Sequence, residues 1–245
     1  HKFTFYSGDP LEYGKLLVGK TILSSKGYGM FVDFYLSGNV IMNIGDGVSA
    51  RYYNPGDKVP ANYQLLLTFK DESFLVFTVA MYGFISAYPD AVIDNKYYTI
   101  SRESISPLSD AYTEAEFEKL FAFAKKTLTA KALLATEQRI PGVGNGVTQD
   151  ILFNAGIHPK QKVFDLSDGQ KGVLFKSLKD TLMAMTSGRG RDTQTDLYGN
   201  EGGYKTILSS KTWKNPCLRC GSTIIKEAYM GGSVYYCPTC QQIKE

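Results

Sequence analysis

Four cysteines occur in the 245-residue chain, all in its last thirty residues, in the stretch CLRCGSTIIKEAYMGGSVYYCPTC from Cys217 to Cys240. Two C-x-x-C pairs with 16 residues between them constrain this segment more than any other feature constrains the rest. One C-x-x-C turn brings two thiolates to a single ion, and two such turns complete a tetrahedral shell, the pattern of a structural zinc site. The spacer alternates and holds a Gly-Gly turn at Gly231-Gly232, so it reads as a β-hairpin joining the knuckles. Cys217, Cys220, Cys237 and Cys240 are therefore expected to hold one zinc ion in a β-hairpin ribbon. With four thiolates the shell is closed, so the metal folds the ribbon and does no chemistry. Two disulfides would ask for an oxidising compartment, and redox pairs would sit near a βαβ pattern; neither context is visible.

The chain has no run of about 18 apolar residues, so no membrane span is expected. Its first residues lack the layout of a signal peptide, and the chain reads as cytoplasmic. Charge is uneven. Residues 1–120 hold 10 Lys/Arg against 14 Asp/Glu, whereas residues 121–245 hold 17 against 10. A basic half suits a polyanion, because cations that neutralise phosphates release counterions; a solvated surface leaning positive is the plainer reading.

Residues 21–105 are β-rich. MFVDFYL (Met30–Leu36), NVIMNIGDG, YQLLLTF and FLVFTVAMYGF follow one another through short polar turns at Ser37-Gly38 and Lys70–Ser73. Sequential strands of this kind favour an antiparallel sandwich or barrel. From Ser106 the pattern becomes helical: SPLSDAYTEAEFEKLFAFAKK, TAKALLATEQRI, NGVTQDILFNAG and SDGQKGVLFKSLKDTLMAMTSG read as four helices, the third ended by Gly156 and the fourth capped by Ser167. The expected fold is α+β multidomain. A β-sandwich domain spans 1–105, a helical domain 106–208 and the zinc ribbon 209–245.

The densest chemical signal is IPGVGNGVTQDILFNAGIHP (Ile140–Pro159). Its Pro-Gly-Val-Gly forces a tight turn between two helices and leaves Asn145 at the start of the second. A helix N-terminus offers free N–H groups to an anion, and an Asn amide adds a directed donor; Asn145 serves equally well as a plain N-cap. A dinucleotide fingerprint is excluded, since a helix rather than a strand leads in.

Gly142-Val143-Gly144-Asn145 followed by Ala155-Gly156-Ile157-His158-Pro159 resembles the helix–two-turn–helix motif of the formamidopyrimidine-DNA glycosylase and endonuclease VIII family. SPLSDAYTEAEF looks like that family's entry into its helical domain, GRDTQTDLYGNEGGYKTIL like its base-closing loop, and the ribbon ends the chain as in its zinc-bearing members. The resemblance covers residues 106–245 well and the β-rich part more loosely. It implies a DNA glycosylase and AP lyase that removes oxidised bases from duplex DNA, working as a monomer on double-stranded DNA with oxidised or abasic sites. The base must leave the stack first, at a cost of a few kcal/mol. It implies phosphate contacts at Asn145, Gly144 and Lys131, a base-closing loop with Arg189, Arg191, Thr193 and Tyr204, and a ribbon tip at Gly231 and Gly232. His158 is expected to be structural. Stack-filling wedges are expected from DGVSAR or MYGF.

Three departures from the family pattern stand out. The family begins with Pro and Glu in a P-E-x-P-E run, and its amine is the nucleophile. None of the nine prolines here is followed by Glu. Matched at GKTI (Gly19–Ile22), the family start falls several tens of residues ahead of His1, so that segment is expected upstream and no catalytic residue is assigned within the chain. Met30 stands at the family's hairpin lysine, with Lys26 four residues earlier. Gly232 stands at the ribbon arginine, where Lys226 and Tyr235 are the nearest substitutes. These two changes favour an alternative: a protein on the same scaffold that binds damaged or abasic DNA without cutting. A ribbon module for RNA or protein is the third reading, if the turn motif is coincidental.

Overall fold

The computed structural model describes residues 5–244 except Gly8, Met81, Tyr82, Asp90, Ala91, Val92, Asp94 and Phe123. Met81 and Tyr82 of the expected wedge MYGF thus lie outside the described residues. The chain divides into two compact units, residues 1–103 with 195–200, and residues 104–194 with 201–245.

The first unit is a β-sandwich. Its strands are β1 (Phe5–Ser7), β2 (Ile22–Tyr28), β3 (Phe31–Leu36), β4 (Val40–Ile44), β5 (Val48–Tyr53), β6 (Leu65–Thr68), β7 (Phe74–Val79) and β8 (Phe84–Pro89), with short α1 (Tyr13–Leu17) ahead of β2 and α2 (Lys96–Glu103) after β8. One sheet runs β1-β8-β4-β3-β2 and the other β5-β7-β6. All pairings are antiparallel except β1 with β8. Strand alternation sends Val40, Met42 and Ile44 of β4 and Leu75, Phe77 and Val79 of β7 into one shared core. The β3–β4 connection turns at Gly38 and Asn39, both at positive φ, as the Ser-Gly signal implied. The FLVFTVAMYGF run is divided: β7 ends at Val79, and Gly83 packs so closely on the Ala80 and Gly47 carbonyls that a Cβ there would crowd both.

Residues 195–200 come after the last helix in sequence but fold on β5. The Tyr52 N–H donates to the Leu197 carbonyl at 2.8 Å. Arg51 donates to the Asp196 carbonyl at 2.7 Å and to Thr195 Oγ1 at 3.0 Å.

The second unit holds the helices α3 (Glu114–Ala122), α4 (Ala130–Ala135), α5 (Asn145–Ala155) and α6 (Asp168–Ser187), then the hairpin β9 (Ile225–Tyr229) and β10 (Gly232–Tyr236). Phe117, Leu133, Leu134, Ile140, Ile151, Leu174 and Leu178 form its fully buried centre. α6 begins with a reciprocal capping box between Ser167 and Gln170, and α5 ends on Gly156 in the left-handed conformation. α4 is shorter than its good helix formers suggest. Glu137 and Gln138 take positive φ after it, and the Arg139 guanidinium folds back on the Ala132 and Thr136 carbonyls to cap its end. Among the described residues no helix is long and apolar enough to cross a membrane.

Candidate nucleic-acid interface

Gly144, in extended conformation, is the N-cap of α5, and Asn145 is its first helical residue. The plain N-cap reading of Asn145 is therefore set aside. Its side chain bridges to the hairpin: Nδ2 donates to the Ser233 carbonyl of β10 at 3.2 Å, while Oδ1 accepts from Gln149 Nε2 at 3.4 Å. One turn on, buried Gln149 makes a two-sided contact with the same strand. Its Nε2 donates to the Ser233 carbonyl at 3.1 Å, and its Oε1 accepts from the Tyr235 N–H at 3.1 Å. An amide side chain thus stands in for a strand neighbour and fixes the register of the hairpin against α5. The first N–H groups of α5 have no partner within the helix, and the positive end of its dipole lies beside Asn145. Asn145 itself is exposed, and a Cβ built on Gly144 meets nothing within 4 Å.

The hairpin turn differs from the Gly-Gly reading by one residue. Met230 (φ +53°) and Gly231 (φ +73°) are its two central residues, and Gly232 is already in β10, paired with Tyr229. Positive φ at both centres is the type I′ geometry that suits the twist of paired strands. Gly232 lies against the Asn145 amide, where a Cβ would come within 3.3 Å of Nδ2. A side chain at this position has to displace that amide.

Lys131 is not on a solvated face. It is buried, with Nζ donating to the Tyr229 carbonyl at 2.5 Å and lying 5.5 Å from the Tyr229 ring centre. Burial pulls its pKa below the usual lysine value. Lys160 covers the same ring at 5.2 Å while paired to Glu227 at 2.8 Å. The Tyr229 hydroxyl closes the set on Thr129 Oγ1 at 3.1 Å. His158 is buried with Nδ1 accepting the Lys160 N–H at 3.0 Å, in keeping with a structural role.

The loop residues fall into different surroundings. Arg189 is exposed at positive φ. Arg191 is half-buried, its guanidinium over Gly146 of α5, where it leaves no room for a Cβ. Its backbone bridges Tyr204. Thr193 is half-buried with an Oγ1 that finds no partner. Behind them lies Asp150, fully buried, accepting the Ile207 and Leu208 N–H groups at 3.0 and 2.8 Å. Desolvation raises its pKa, while those N–H groups and the nearby Arg191 charge pull it down. Sequence reading missed Asp150 and Gln149. The one available signal was that Gln149 lies four residues after Asn145, on the same helix face.

The four cysteine Sγ atoms lie within 4.8 Å of one another, with Cys217–Cys240 at 3.9 Å and Cys220–Cys237 at 3.4 Å. A tetrahedral ion with metal–sulfur bonds of about 2.3 Å sets sulfurs ~3.8 Å apart, so the donor set fits one metal ion. Ser222 contacts bring the Cys220 thiol down to about 6, whereas burial and its neighbours hold Cys240 at about 12. A bound cation is what lets all four ionise together. The knuckles also grip α5 from its far end: Arg219 donates to the Phe153 and Asn154 carbonyls at 2.9 and 3.1 Å, and Gln241 to the Ile157 carbonyl at 2.9 Å.

In the β-rich unit Met30 is half-buried in the β2–β3 turn, packed with the cluster of Phe31, Ile93 and Tyr98. Lys26 lies on β2, exposed, its ammonium 5.0 Å from the Tyr28 ring centre.

No family model matches the chain. A formamidopyrimidine-DNA glycosylase of Cytobacillus firmus is 27% identical over 239 residues, 95% of this chain and 86% of that protein. The Mycoplasma mobile protein of the same name is 28% identical over 244 residues, 95% and 85% of the two chains. Among solved structures, a complex between the Lactococcus lactis Fpg and an abasic site containing DNA superposes with a TM-score of 0.78 at 22% identity, over 95% of this chain and 86% of that one. The MutM (Fpg) protein of Thermus thermophilus gives 0.76 at 22%, over 94% and 86%. Sandwich, four-helix block and cysteine ribbon occur here in one order, and the relatives match along nearly the whole chain. The chain is similar to formamidopyrimidine-DNA glycosylases along nearly its whole length and shares their fold.

Proposed function

We propose that the chain is a base-excision repair enzyme, a DNA glycosylase with AP-lyase activity that removes oxidised bases from double-stranded DNA. The observation that carries this reading is the meeting of the open α5 N-terminus, the exposed Asn145 amide and the ribbon tip at Gly232-Ser233. The start of α5 presents backbone and amide donors at one place, with the ribbon tip packed beside them, which suits a phosphate of the DNA backbone. The relatives' name and the abasic-site DNA of the Lactococcus lactis complex support the substrate class.

In this reading Asn145 and the Gly144 end of the turn hold a phosphate, and buried Lys131 adds positive charge from behind the hairpin. Arg189, Arg191, Thr193 and Tyr204 belong to the segment that closes on the extruded base. One zinc ion, held by Cys217, Cys220, Cys237 and Cys240, keeps the ribbon folded on α5. A secondary amine attacks the sugar carbon that carries the damaged base, and the base leaves. The resulting Schiff base then allows the flanking phosphates to be eliminated.

A second reading, binding of damaged or abasic DNA without cleavage, is favoured by Gly232 at the ribbon tip, which carries no side chain to supply a guanidinium to a phosphate. Borohydride trapping separates the two, using protein expressed from its native start codon and duplex DNA with one oxidised base. The enzyme reading expects a covalent adduct and strand nicking. Retained binding with neither assigns the chain to the second reading.

A further inference from the structure

Met230 occupies a position that stability alone would give to another residue. It sits at the first centre of the type I′ turn with φ +53°, a conformation in which Asn and Gly are favoured and a long side chain is strained. Its side chain is 48% exposed and joins none of the hydrophobic clusters among the described residues. The strain is held in place from both sides. Lys131 and Thr129 fix Tyr229 before it, while Asn145 and Gln149 fix Ser233 after it. Beyond the turn there is open space, since a Cβ on Gly231 meets nothing within 4 Å. Strain that the surroundings over-determine, at the tip of an element beside an anion-binding turn, points to a ligand contact.

We propose that Met230 is an affinity-determining contact: its thioether side chain packs on the apolar sugar–base face of the nucleotide whose phosphate lies at Asn145. The inference rests on the DNA-binding reading above. An unbranched, polarizable side chain conforms to such a face without demanding one base, and methionine is among the apolar residues that approach unstacked steps. The contact also supplies, without charge, part of the grip that Gly232 cannot provide.

The test compares the native chain, Met230→Gly and Met230→Leu, each with its metal, on a duplex carrying a tetrahydrofuran abasic analogue across a range of salt. Met230→Gly is expected to bind roughly three- to tenfold more weakly, for loss of a partly buried apolar side chain. The slope of affinity against salt should be unchanged, because no charge is removed. The same variant should release its metal to chelator less readily, since glycine relieves the positive φ. Met230→Leu should bind within about twofold of native, since similar apolar area is kept. If Met230→Gly binds as tightly as the native chain, the inference is overturned while the DNA reading stands. If the native chain itself does not bind the duplex, both fall together.

Discussion

Asn145 and Ser233 lie 88 residues apart in sequence and are joined by one hydrogen bond, Nδ2 to carbonyl at 3.2 Å. That bond places the open end of α5 against the tip of the cysteine ribbon. Together with the two hydrogen bonds of Gln149 to the same strand, it sets the Asn145 amide beside the hairpin tip.

Gln149 sets this register, so its removal should be felt at the hairpin. In Gln149→Leu the Ser233 carbonyl keeps only Asn145, and the Tyr235 N–H loses its partner. Leaving a buried N–H unpaired costs about 1–3 kcal/mol. Hydrogen exchange at the Tyr235 amide should accelerate while the α6 amides stay protected. Unchanged exchange at Tyr235 would show that the hairpin holds its register by other means.

Metal removal should act through the same contacts. Chelation unfolds the ribbon, which metal binding stabilises by on the order of 10 kcal/mol. It thereby withdraws Arg219 from the end of α5 and Ser233 from Asn145. Circular dichroism should show loss of the hairpin with retention of the α3–α6 core, and duplex affinity should fall with metal content. DNA binding that survives complete chelation would exclude the ribbon from the interface.

His158 gives a pH dependence of known sign. Burial holds its pKa below the ordinary 6.5, opposed by Glu227, while Nδ1 accepts a backbone N–H and so has to be unprotonated. A base with a depressed folded pKa contributes stability that is present above pH 6.5 and lost as pH falls through the folded value. Relative to His158→Gln, the native chain should lose stability on acidification from pH 7.5 to below 6.5, read from urea midpoints of the two proteins. Parallel curves would contradict this.

Much of the site was legible in the residues themselves because it rests on local chemistry. Two C-x-x-C pairs allow few arrangements, Gly156 marks a left-handed helix end, and Gly142–Asn145 can only be a turn into a helix. What could not be read depends on contacts distant in sequence. The burial of Lys131 could not be read because nothing near it in sequence announces Tyr229, whose carbonyl takes its ammonium. The hairpin turn moved from Gly231-Gly232 to Met230-Gly231 because pairing of Gly232 with Tyr229 decides the register, and local glycine preference does not. Residues 195–200 joined the β-rich unit through Arg51 and Tyr52, more than a hundred residues earlier.

The central claim, that the α5 turn and the ribbon tip together grip a DNA phosphate, is tested most directly by the duplex affinity of Asn145→Ala over a range of salt. Asn145 is exposed and does not cap its helix, so the substitution should leave the fold and the metal content intact. Loss of a hydrogen bond to a charged group, about 1.5–3 kcal/mol, predicts binding weaker by roughly tenfold or more, alike for different sequences, with the slope against salt unchanged because no charge is removed. Affinity equal to that of the native chain would contradict the account.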